Sequence, residues 1–375
     1  MGSSFRLGRI AGVDVLLHWT FGLLIAGAIG FYVFTGRPDQ AVTGVLLILA
    51  VFGCVVLHEF GHALAARRYG VPTKDITLYP IGGVARLQRV PENPTVELVI
   101  ALAGPAVNVA VAVLVWAGLG VAGQGVGAPT GLAEPAGAFW ANLFWANIVL
   151  VVFNLLPAFP MDGGRVLRAL LAYKLSYTRA TQVAAAVGQS MAIFFAFVAV
   201  VGRFDPFLLF IALFVYLGAQ QEASAALMRA AVRGIPVRQA MLTEFTTLGV
   251  GSTLGEVVER LLAGSEQDFL VLAPDGTPAG VLTRRRLVQA LAETGTGGRV
   301  SDAMEPVGLG VEVSAMLTEA LEAMQESGRP LLPITERGRI VGVLTSENVA
   351  ELMMLSNAVQ KRTGERPLVL REAQA

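Results

Sequence analysis

Long apolar runs dominate the first 221 residues of the chain. A helix that crosses a membrane needs about 20 mostly apolar residues, and six stretches approach that length. The stretch from Pro72 to Asn93 lacks this pattern. Its Thr73–Leu87 portion alternates loosely and holds Gly82-Gly83, which predicts a hairpin turn or a re-entrant loop. The six predicted spans cover approximately residues 13–36, 42–66, 96–121, 139–157, 183–202 and 206–221.

The pattern changes after Ala230, where an internal repeat begins. The segment Val237–Met241 (VRQAM) recurs as Val300–Met304 (VSDAM), 63 residues later, and Gly280–Thr283 (GVLT) recurs after 62 residues. Nearly equal spacing of this kind indicates two copies of one structural unit. Each copy mixes helical periodicity with short apolar strands, which is typical of an α/β unit. We therefore predict a transmembrane domain at 1–221, a linker at 222–236, repeat units at 237–295 and 296–356, and a polar tail at 357–375.

Charge and composition support a membrane protein with a soluble tail. Hydrophobic residues make up 54% of the chain and charged residues only 15%, and the net charge is zero. Nothing therefore suggests nucleic acid as a partner. With six spans, the segments on the side of the N-terminus hold thirteen Lys and Arg, whereas the opposite loops hold only Arg37 and Arg203. Because Lys and Arg favour the cytoplasmic side, we predict a multi-pass cell-membrane protein with both termini in the cytoplasm.

The second predicted span contains the sequence His58-Glu59-Phe60-Gly61-His62. Residues four apart lie on one face of a helix, so both imidazoles can reach one metal ion. Glu59 is turned about 100° from His58 and can act on a metal-bound water without being a ligand. This pattern is typical of zinc hydrolases. Three alternatives remain: a hydrogen-bonded cluster inside a helix bundle, the ion path of a channel or transporter that the tail regulates, and an inactive scaffold that binds substrates without cutting them.

A zinc site of this type needs a third protein ligand. His18 is the only other histidine and Cys54 the only cysteine. Asp162 follows a stretch in which Pro157 and Pro160 break a helix, and broken backbone at membrane depth is tolerated where it lines a cavity. A carboxylate there is well suited to complete a site of two histidines and one aspartate. The alternative is that Asp162 caps the helix that begins near Gly163.

These motifs, together with Gly104-Pro105-Ala106-Val107-Asn108 and Asn154, resemble the site-2 protease family. The chain is most similar to its six-span bacterial and archaeal branch, which carries a cytoplasmic CBS domain pair. The resemblance implies an intramembrane zinc endopeptidase of regulated intramembrane proteolysis, in which His58, His62 and Asp162 bind zinc and Glu59 is the base. It implies that Asn108 and Asn154 lie near the site, either as hydrogen-bond donors to substrate or to the tetrahedral intermediate, or as bonds between helices.

The segment from Tyr79 to Gly83 matches the family's membrane-inserted hairpin. Gly82 and Gly83 would then lie where an extended substrate pairs with a strand edge; the alternative is a plain interfacial loop. The resemblance also implies a membrane-embedded protein substrate, such as a single-span anti-sigma factor, next to the lipid bilayer.

The repeat resembles two CBS motifs, which usually bind adenine nucleotides in the cleft between them. The family's ribose-binding Asp follows the motif Thr by three positions. Here Arg286 follows Thr283 and Asn348 follows Thr345. Asn348 can still bond a hydroxyl, and Arg286 can meet a phosphate. The alternative is a structural module that supports a homodimer.

Overall fold

The computed structural model describes residues 4–80, 82–87, 92–131, 138–202, 204–264, 266–308 and 310–363. The chain divides into two compact units, Met1–Ala226 and Leu227–Ala375.

The first unit begins with a four-stranded sheet of β1 (Ser4–Ile10), β2 (Val13–His18), β3 (Thr73–Tyr79) and β4 (Gly82–Leu87). The strand order is β1-β2-β3-β4, so β4 is an edge strand. The expected hairpin at Thr73–Leu87 is confirmed, with Tyr79 paired to Gly82. The Gly82-Gly83 pair begins β4, so the prediction that these glycines form the turn itself is wrong.

The predicted start of the first span, residue 13, is wrong. Val13–His18 forms β2, which pairs with β1 on one side and with β3 on the other. Buried Val15, Ile76 and Leu78 then pack against Phe60 of the following long helix. The sequence pattern assigns this apolar segment to the following helix. In the structure, its backbone groups form hydrogen bonds with the two neighbouring strands instead.

Within the described residues the first unit also contains seven α-helices, two of them between β2 and β3 in the chain and five after β4. They are α1 (Thr20–Phe34), α2 (Ala41–Arg68), α3 (Pro94–Val121), α4 (Phe139–Asn154), α5 (Asp162–Ala172), α6 (Tyr177–Val201) and α7 (Pro206–Val232). Within the described residues, four segments are long and apolar enough to cross a membrane: Pro38–Arg68, Pro94–Val121, Tyr177–Val201 and Pro206–Val232. Helices α1 and α4 are also apolar but have only 15 and 16 residues.

Small residues set the packing near the break between α4 and α5. A Cβ on Gly163 would lie 2.2 Å from the Leu156 carbonyl oxygen, and one on Gly164 would lie 2.6 Å from the Phe159 nitrogen. Glycine therefore lets α5 start directly against the broken chain before it. On the other side, Gly218 of α7 fits against Pro160, where a Cβ would lie 2.5 Å from Cδ. This loop is held between α5 and α7.

The second unit repeats one arrangement twice. The first copy contains β5 (Thr247–Gly249), α8 (Leu254–Ala263), β6 (Asp268–Leu272), β7 (Pro278–Thr283), α9 (Arg284–Thr294), α10 (Val300–Ala303) and β8 (Glu305–Pro306). The second contains β9 (Val311–Glu312), α11 (Leu317–Ser327), β10 (Leu331–Glu336), β11 (Arg339–Thr345) and α12 (Ser346–Thr363). In each copy, two parallel strands are connected through a helix. The second of these strands then forms an antiparallel hairpin with the strand that follows it.

The boundaries between segments differ in detail from the sequence pattern. Residues 222–232 of the predicted linker continue α7 as regular helix. Helix α12 extends to Thr363 into the predicted tail, and residues 364–375 lie outside the described part of the chain.

Each copy has its own apolar core, and a third cluster joins them. Leu254, Phe269 and Leu282 lie in the first core, and Leu317, Ile334 and Leu344 lie in the second. The third cluster contains Leu270, Val281, Leu331 and Val343, which come from the two hairpins. The internal repeat therefore folds as a pair that shares an apolar interface.

Helix α8 offers a matched test of this core. Leu254 is fully buried, whereas Leu262 on the same helix is 81% exposed. We expect Leu254→Ala to lower the free energy of unfolding of the second unit by about 2–5 kcal/mol, because it removes buried methyl groups and leaves a cavity. Leu262→Ala should change it by less than about 0.5 kcal/mol. Thermal unfolding of the purified full chain measures both, and equal effects would contradict the assigned core.

Candidate active site and metal centre

Three metal-binding side chains meet inside the first unit. His58 and His62 lie one turn apart on α2, and Asp162 is the first residue of α5. The Nε2 atoms of the histidines are 3.1 Å apart, and each is 3.1 Å from Asp162 Oδ2. All three residues are buried. The three donor atoms form a nearly equilateral triangle.

This triangle fits a tetrahedral zinc site. Zinc bonds of about 2.0–2.2 Å in tetrahedral geometry place the donor atoms roughly 3.3 Å apart, close to the separation in the structure. His62 Nδ1 lies 2.7 Å from the Ile100 carbonyl oxygen, which only accepts, so Nδ1 carries the proton. The unprotonated Nε2 then faces Asp162, as a metal ligand requires. The donor set thus suits a zinc ion bound through two histidines and one aspartate.

Asn108 favours the same protonation of the ring in His58 as the Ile100 carbonyl does in His62, with the proton on Nδ1. Its Oδ1 lies 3.0 Å from His58 Nδ1 and accepts the proton of that nitrogen, which leaves Nε2 free. Asn108 is fully buried, and its Nδ2 has no hydrogen-bond partner among the described residues. One side chain therefore orients a ligand and also keeps an unused donor beside the site.

Glu59 lies next to this triangle but outside it. Its Oε2 accepts a hydrogen bond from the Ala85 backbone nitrogen at 3.2 Å. A Cβ on Gly83 would lie 2.7 Å from Glu59 Cγ, so strand β4 packs directly on this carboxylate. The absence of a side chain at Gly83 is what permits the contact. The sheet thus positions the acid that follows His58.

One cavity of about 340 Å³ contains these groups. It brings together sequence-predicted residues from five elements: α2, β4, α3, α4 and α5. Arg165, one turn after Asp162 on α5, also lines it and is the only Arg or Lys among the described lining residues. Sequence reasoning missed Arg165. Its position three residues after Asp162, in Asp162-Gly-Gly-Arg165, places it about one helical turn from the predicted ligand and could have indicated it. The predicted residues that line the cavity are His58, Glu59, His62, Gly82, Gly83, Asn108, Asn154 and Asp162.

Gly104 forms the wall behind the histidines. A Cβ there would lie 2.2 Å from His62 Nε2 and 2.7 Å from His58 Nε2. The sequence contains Gly104 in a recognisable motif but does not show this contact, because the spacing between α2 and α3 is a tertiary property. The glycine is therefore required for the donor atoms to occupy their positions.

The predicted nucleotide residues separate into two groups in the second unit. Thr345 and Asn348 line a cavity of about 430 Å³, whereas Thr283 and Arg286 are not among its lining residues. Each Thr hydroxyl accepts a backbone hydrogen bond three residues on, at 3.3 Å from Arg286 N and 3.1 Å from Asn348 N. Both threonines therefore cap helices, α9 and α12.

The side chains of the two following residues point to different partners. Asn348 Nδ2 donates to the Ala240 carbonyl oxygen. The Arg286 guanidinium lies 3.3 Å from Gln289 Oε1 and 3.8 Å from Glu305 Oε1. The arginine proposed from the sequence as a phosphate contact is thus engaged within the first repeat.

The lining of this second cavity is acidic. It includes the carboxylates of Glu266, Asp268, Glu347 and Glu351, and no Lys or Arg is among its described lining residues. Burial raises the pKa of the Asp268 carboxyl; the hydrogen bond from the Arg284 amide opposes this shift, and the nearby Glu347 charge adds to it. Such a lining opposes the approach of phosphate groups.

Comparison with known proteins finds relatives of both parts of the chain. The model of peptidase family M50 matches residues 46–136 and 120–197, and that of the CBS domain matches 225–293 and 300–355. A zinc metalloprotease of Methanocaldococcus jannaschii is 28% identical over 361 residues, which cover 95% of this chain and 97% of that protein. Rip3 of Mycobacterium tuberculosis, which also carries a zinc metalloprotease name, is 29% identical over 380 residues, 94% of this chain and 93% of that protein.

A solved structure, the site-2 protease of Methanocaldococcus jannaschii, is 36% identical, covers 59% of this chain and 95% of its own, and has a TM-score of 0.44. The family matches and the zinc metalloprotease relatives together cover both units of the chain. The chain therefore belongs to peptidase family M50, the site-2 proteases, and is a membrane metalloprotease with a CBS domain pair.

Proposed function

We propose that the chain is an intramembrane zinc endopeptidase that cleaves transmembrane segments of membrane proteins in regulated intramembrane proteolysis. The observation that carries this proposal is the buried triangle of His58 Nε2, His62 Nε2 and Asp162 Oδ2, with 3.1 Å sides, beside Glu59 in one cavity. Buried ionisable groups in a membrane domain are costly and mark functional sites. The relatives described above carry protease names, and none is named as a channel or transporter.

His58, His62 and Asp162 would hold the zinc ion, with the fourth position open to water. Zinc in such a site acidifies water and polarises a carbonyl group. Glu59 acts as the general base that takes the proton of the attacking water and passes it to the leaving amine. Its bond to the Ala85 amide engages one carboxylate oxygen and leaves the other to accept this proton.

Asn108 and Asn154 take part from the cavity wall. The Nδ2 of Asn108 has no partner among the described residues, and it is a donor at a buried site, where a hydrogen bond to developing negative charge is strong. Asn154 lies at the C-terminal end of α4 and lines the same cavity. We assign both as donors to the substrate or to the tetrahedral intermediate, with Asn108 serving as the orienting partner of His58 as well.

The substrate is bound as an extended strand on the free edge of β4. A helical segment resists cleavage because its backbone is hydrogen-bonded internally, so it must unwind first. Gly82 and Gly83 lie at the cavity on an edge strand, where main-chain pairing with a peptide is available. The Ala85 amide already points away from β3, toward Glu59, which marks the free edge.

We propose six spans, in which α1 and α4 join the four longer helices, with both termini in the cytoplasm. The excess of Lys and Arg on one side supports this orientation. The substrate is then a single-span regulator, such as an anti-sigma factor, in the cell membrane. The CBS pair modulates the activity and supports a homodimer. We retain the sequence boundaries of 1–221, 222–236, 237–295, 296–356 and 357–375 as the working division of the chain.

The adenosine moiety is the part of a nucleotide that suits the acidic cavity. Thr345 and Asn348 offer polar groups to a sugar, while Thr283 and Arg286 lie outside this lining and would serve only a second, weaker subsite. We therefore propose an adenine nucleoside or a weakly charged nucleotide as the regulatory ligand.

Removal of the base tests the mechanism. We expect Glu59→Gln to lower the cleavage rate of a membrane-embedded substrate by at least about 10²-fold, since general-base catalysis contributes about 10²–10⁴-fold. Zinc content should stay at the wild-type value, because Glu59 is not a ligand. The assay uses purified full-length protein in lipid nanodiscs, and wild-type rates in Glu59→Gln protein would exclude the mechanism.

Two glycines on α3 provide a matched test of the metal site. Gly104→Ala places a Cβ against both Nε2 atoms, whereas a Cβ on Gly118 meets no other atom within 4 Å. We expect Gly104→Ala to lose zinc, as His58→Ala and Asp162→Ala should, and Gly118→Ala to keep about one zinc per chain. Metal analysis of purified protein gives the result. Equal zinc in both glycine variants would contradict the assigned ligand geometry.

Ligand titration tests the CBS cavity. We expect adenosine to bind the full chain more tightly than ATP by about tenfold or more, because the carboxylate lining repels phosphate groups. Asn348→Leu should weaken adenosine binding, and Arg286→Gln should leave it unchanged. Isothermal titration calorimetry measures all three. Tighter binding of ATP, or no binding of adenosine, would exclude this assignment.

A further inference from the structure

Arg168 is a fully buried cation that does not line the catalytic cavity. It lies on α5 with 1% of its surface exposed. Its Nε donates to Glu97 Oε1 at 2.7 Å, and its Nη1 donates to Glu222 Oε1. The guanidinium carbon lies 5.0 Å from the centre of the Phe159 ring and 4.9 Å from that of Tyr177. Two carboxylates and two aromatic rings thus surround the guanidinium.

These partners come from different elements that converge on α5. Glu97 lies in the first turn of α3, and Glu222 lies on α7. Phe159 belongs to the chain between α4 and α5, and Tyr177 is the first residue of α6. A buried ion pair is weak evidence for stability, since apolar residues of similar volume often stabilise a fold as well or better. The planar, five-donor guanidinium does hold several partners in one geometry, and this is the property that the site uses.

Helix α5 is also the element that carries the third metal-binding residue. It has 11 residues and starts at Asp162, and the chain before it is broken, so no preceding helix fixes its position. Arg168 lies six residues on, which is about 9 Å along the helix axis. A metal ligand must be held within about 0.5 Å of its productive position. A rigid anchor less than two turns away supplies that restraint.

We propose that Arg168 is a positioning residue for the metal centre: by joining Glu97 and Glu222 it fixes α5, and thereby Asp162, against α3 and α7. The inference rests on the proposed function, because it takes Asp162 as the third zinc ligand. Arg168 makes no contact with the metal-binding atoms and acts only through the placement of Asp162.

A double-mutant cycle between the two residues separates positioning from general stabilisation. We would measure zinc affinity of the purified full chain by chelator competition for the wild type, Arg168→Gln, Asp162→Asn and the double variant. Loss of a group that contacts a metal ligand directly lowers affinity about 10–100-fold. Because Arg168 acts only through the placement of Asp162, we expect Arg168→Gln to fall at the lower end of that range, at about tenfold. In the Asp162→Asn background the same change should have no further effect, because residues that act through one another are not additive.

Conservative and control variants complete the design. Arg168→Lys keeps the positive charge but loses the planar guanidinium with its several donors, and Glu222→Gln leaves the ion pair with Glu97 intact. Both variants should fold as the wild type does and lose less zinc affinity than Arg168→Gln. These two provide the result if Arg168→Gln does not accumulate. Lys174→Gln removes an exposed charge just after α5 and should bind zinc as the wild type does.

The outcomes distinguish the two proposals. If the wild type binds zinc and Asp162→Asn weakens it, but the effect of Arg168→Gln is absent or adds fully to that of Asp162→Asn, the positioning role is excluded and the proposed function stands. If the wild type binds no zinc, the proposed function itself fails. If Arg168→Lys, Glu222→Gln and Lys174→Gln all lost zinc affinity to the same extent, a specific anchoring role of Arg168 would also be excluded.

Discussion

The structure depends on one constraint: the polar groups that we propose to bind zinc are buried in an apolar interior, and every hydrogen-bonding atom they carry must be satisfied there. His62 has its second nitrogen on the Ile100 carbonyl, and His58 has its own on Asn108. Both partners belong to α3. Because an unpaired polar group is costly where no water reaches it, α3 must lie close to α2 along this stretch. The metal site therefore dictates a helix contact.

Small residues make that contact possible. A Cβ on Gly61 would lie 2.7 Å from the Ala103 carbonyl oxygen, and one on Gly104 would meet the two imidazoles. Helices in membranes associate through close packing of this kind, since lipid supplies no hydrophobic drive between them. The glycines of the His58–His62 and Gly104–Asn108 motifs thus serve the same purpose from opposite helices. A third glycine, Gly83, admits β4 to Glu59, so the sheet completes the site that the helices begin.

Sequence reasoning succeeded where the information is local. The spacing of His58 and His62 follows from helix geometry, and the scarcity of histidine and the broken chain pointed to Asp162. It failed for β2, because Val13–His18 continues directly into an apolar helix and its pairing with β3 comes from residues about sixty positions away. It also gave no sign of the Arg168 cluster, whose partners lie 71 and 54 positions away in sequence. The sequence holds these residues but not their proximity.

In the second unit too, the sequence predicts the local backbone structure but not the side chains that surround it. The repeat predicted two equivalent motifs, and both motif threonines cap a helix in the same way. The caps use the hydroxyls in both copies, so the motif fixes the start of α9 and α12 rather than the ligand. What differs is the surroundings: Asn348 faces a cavity with four carboxylates, while Arg286 is directed toward Glu305. Glu266 and Asp268 come from the other repeat and lie outside both motifs. The motif therefore fixes the start of each helix, and the residues around it set the charge of the cavity.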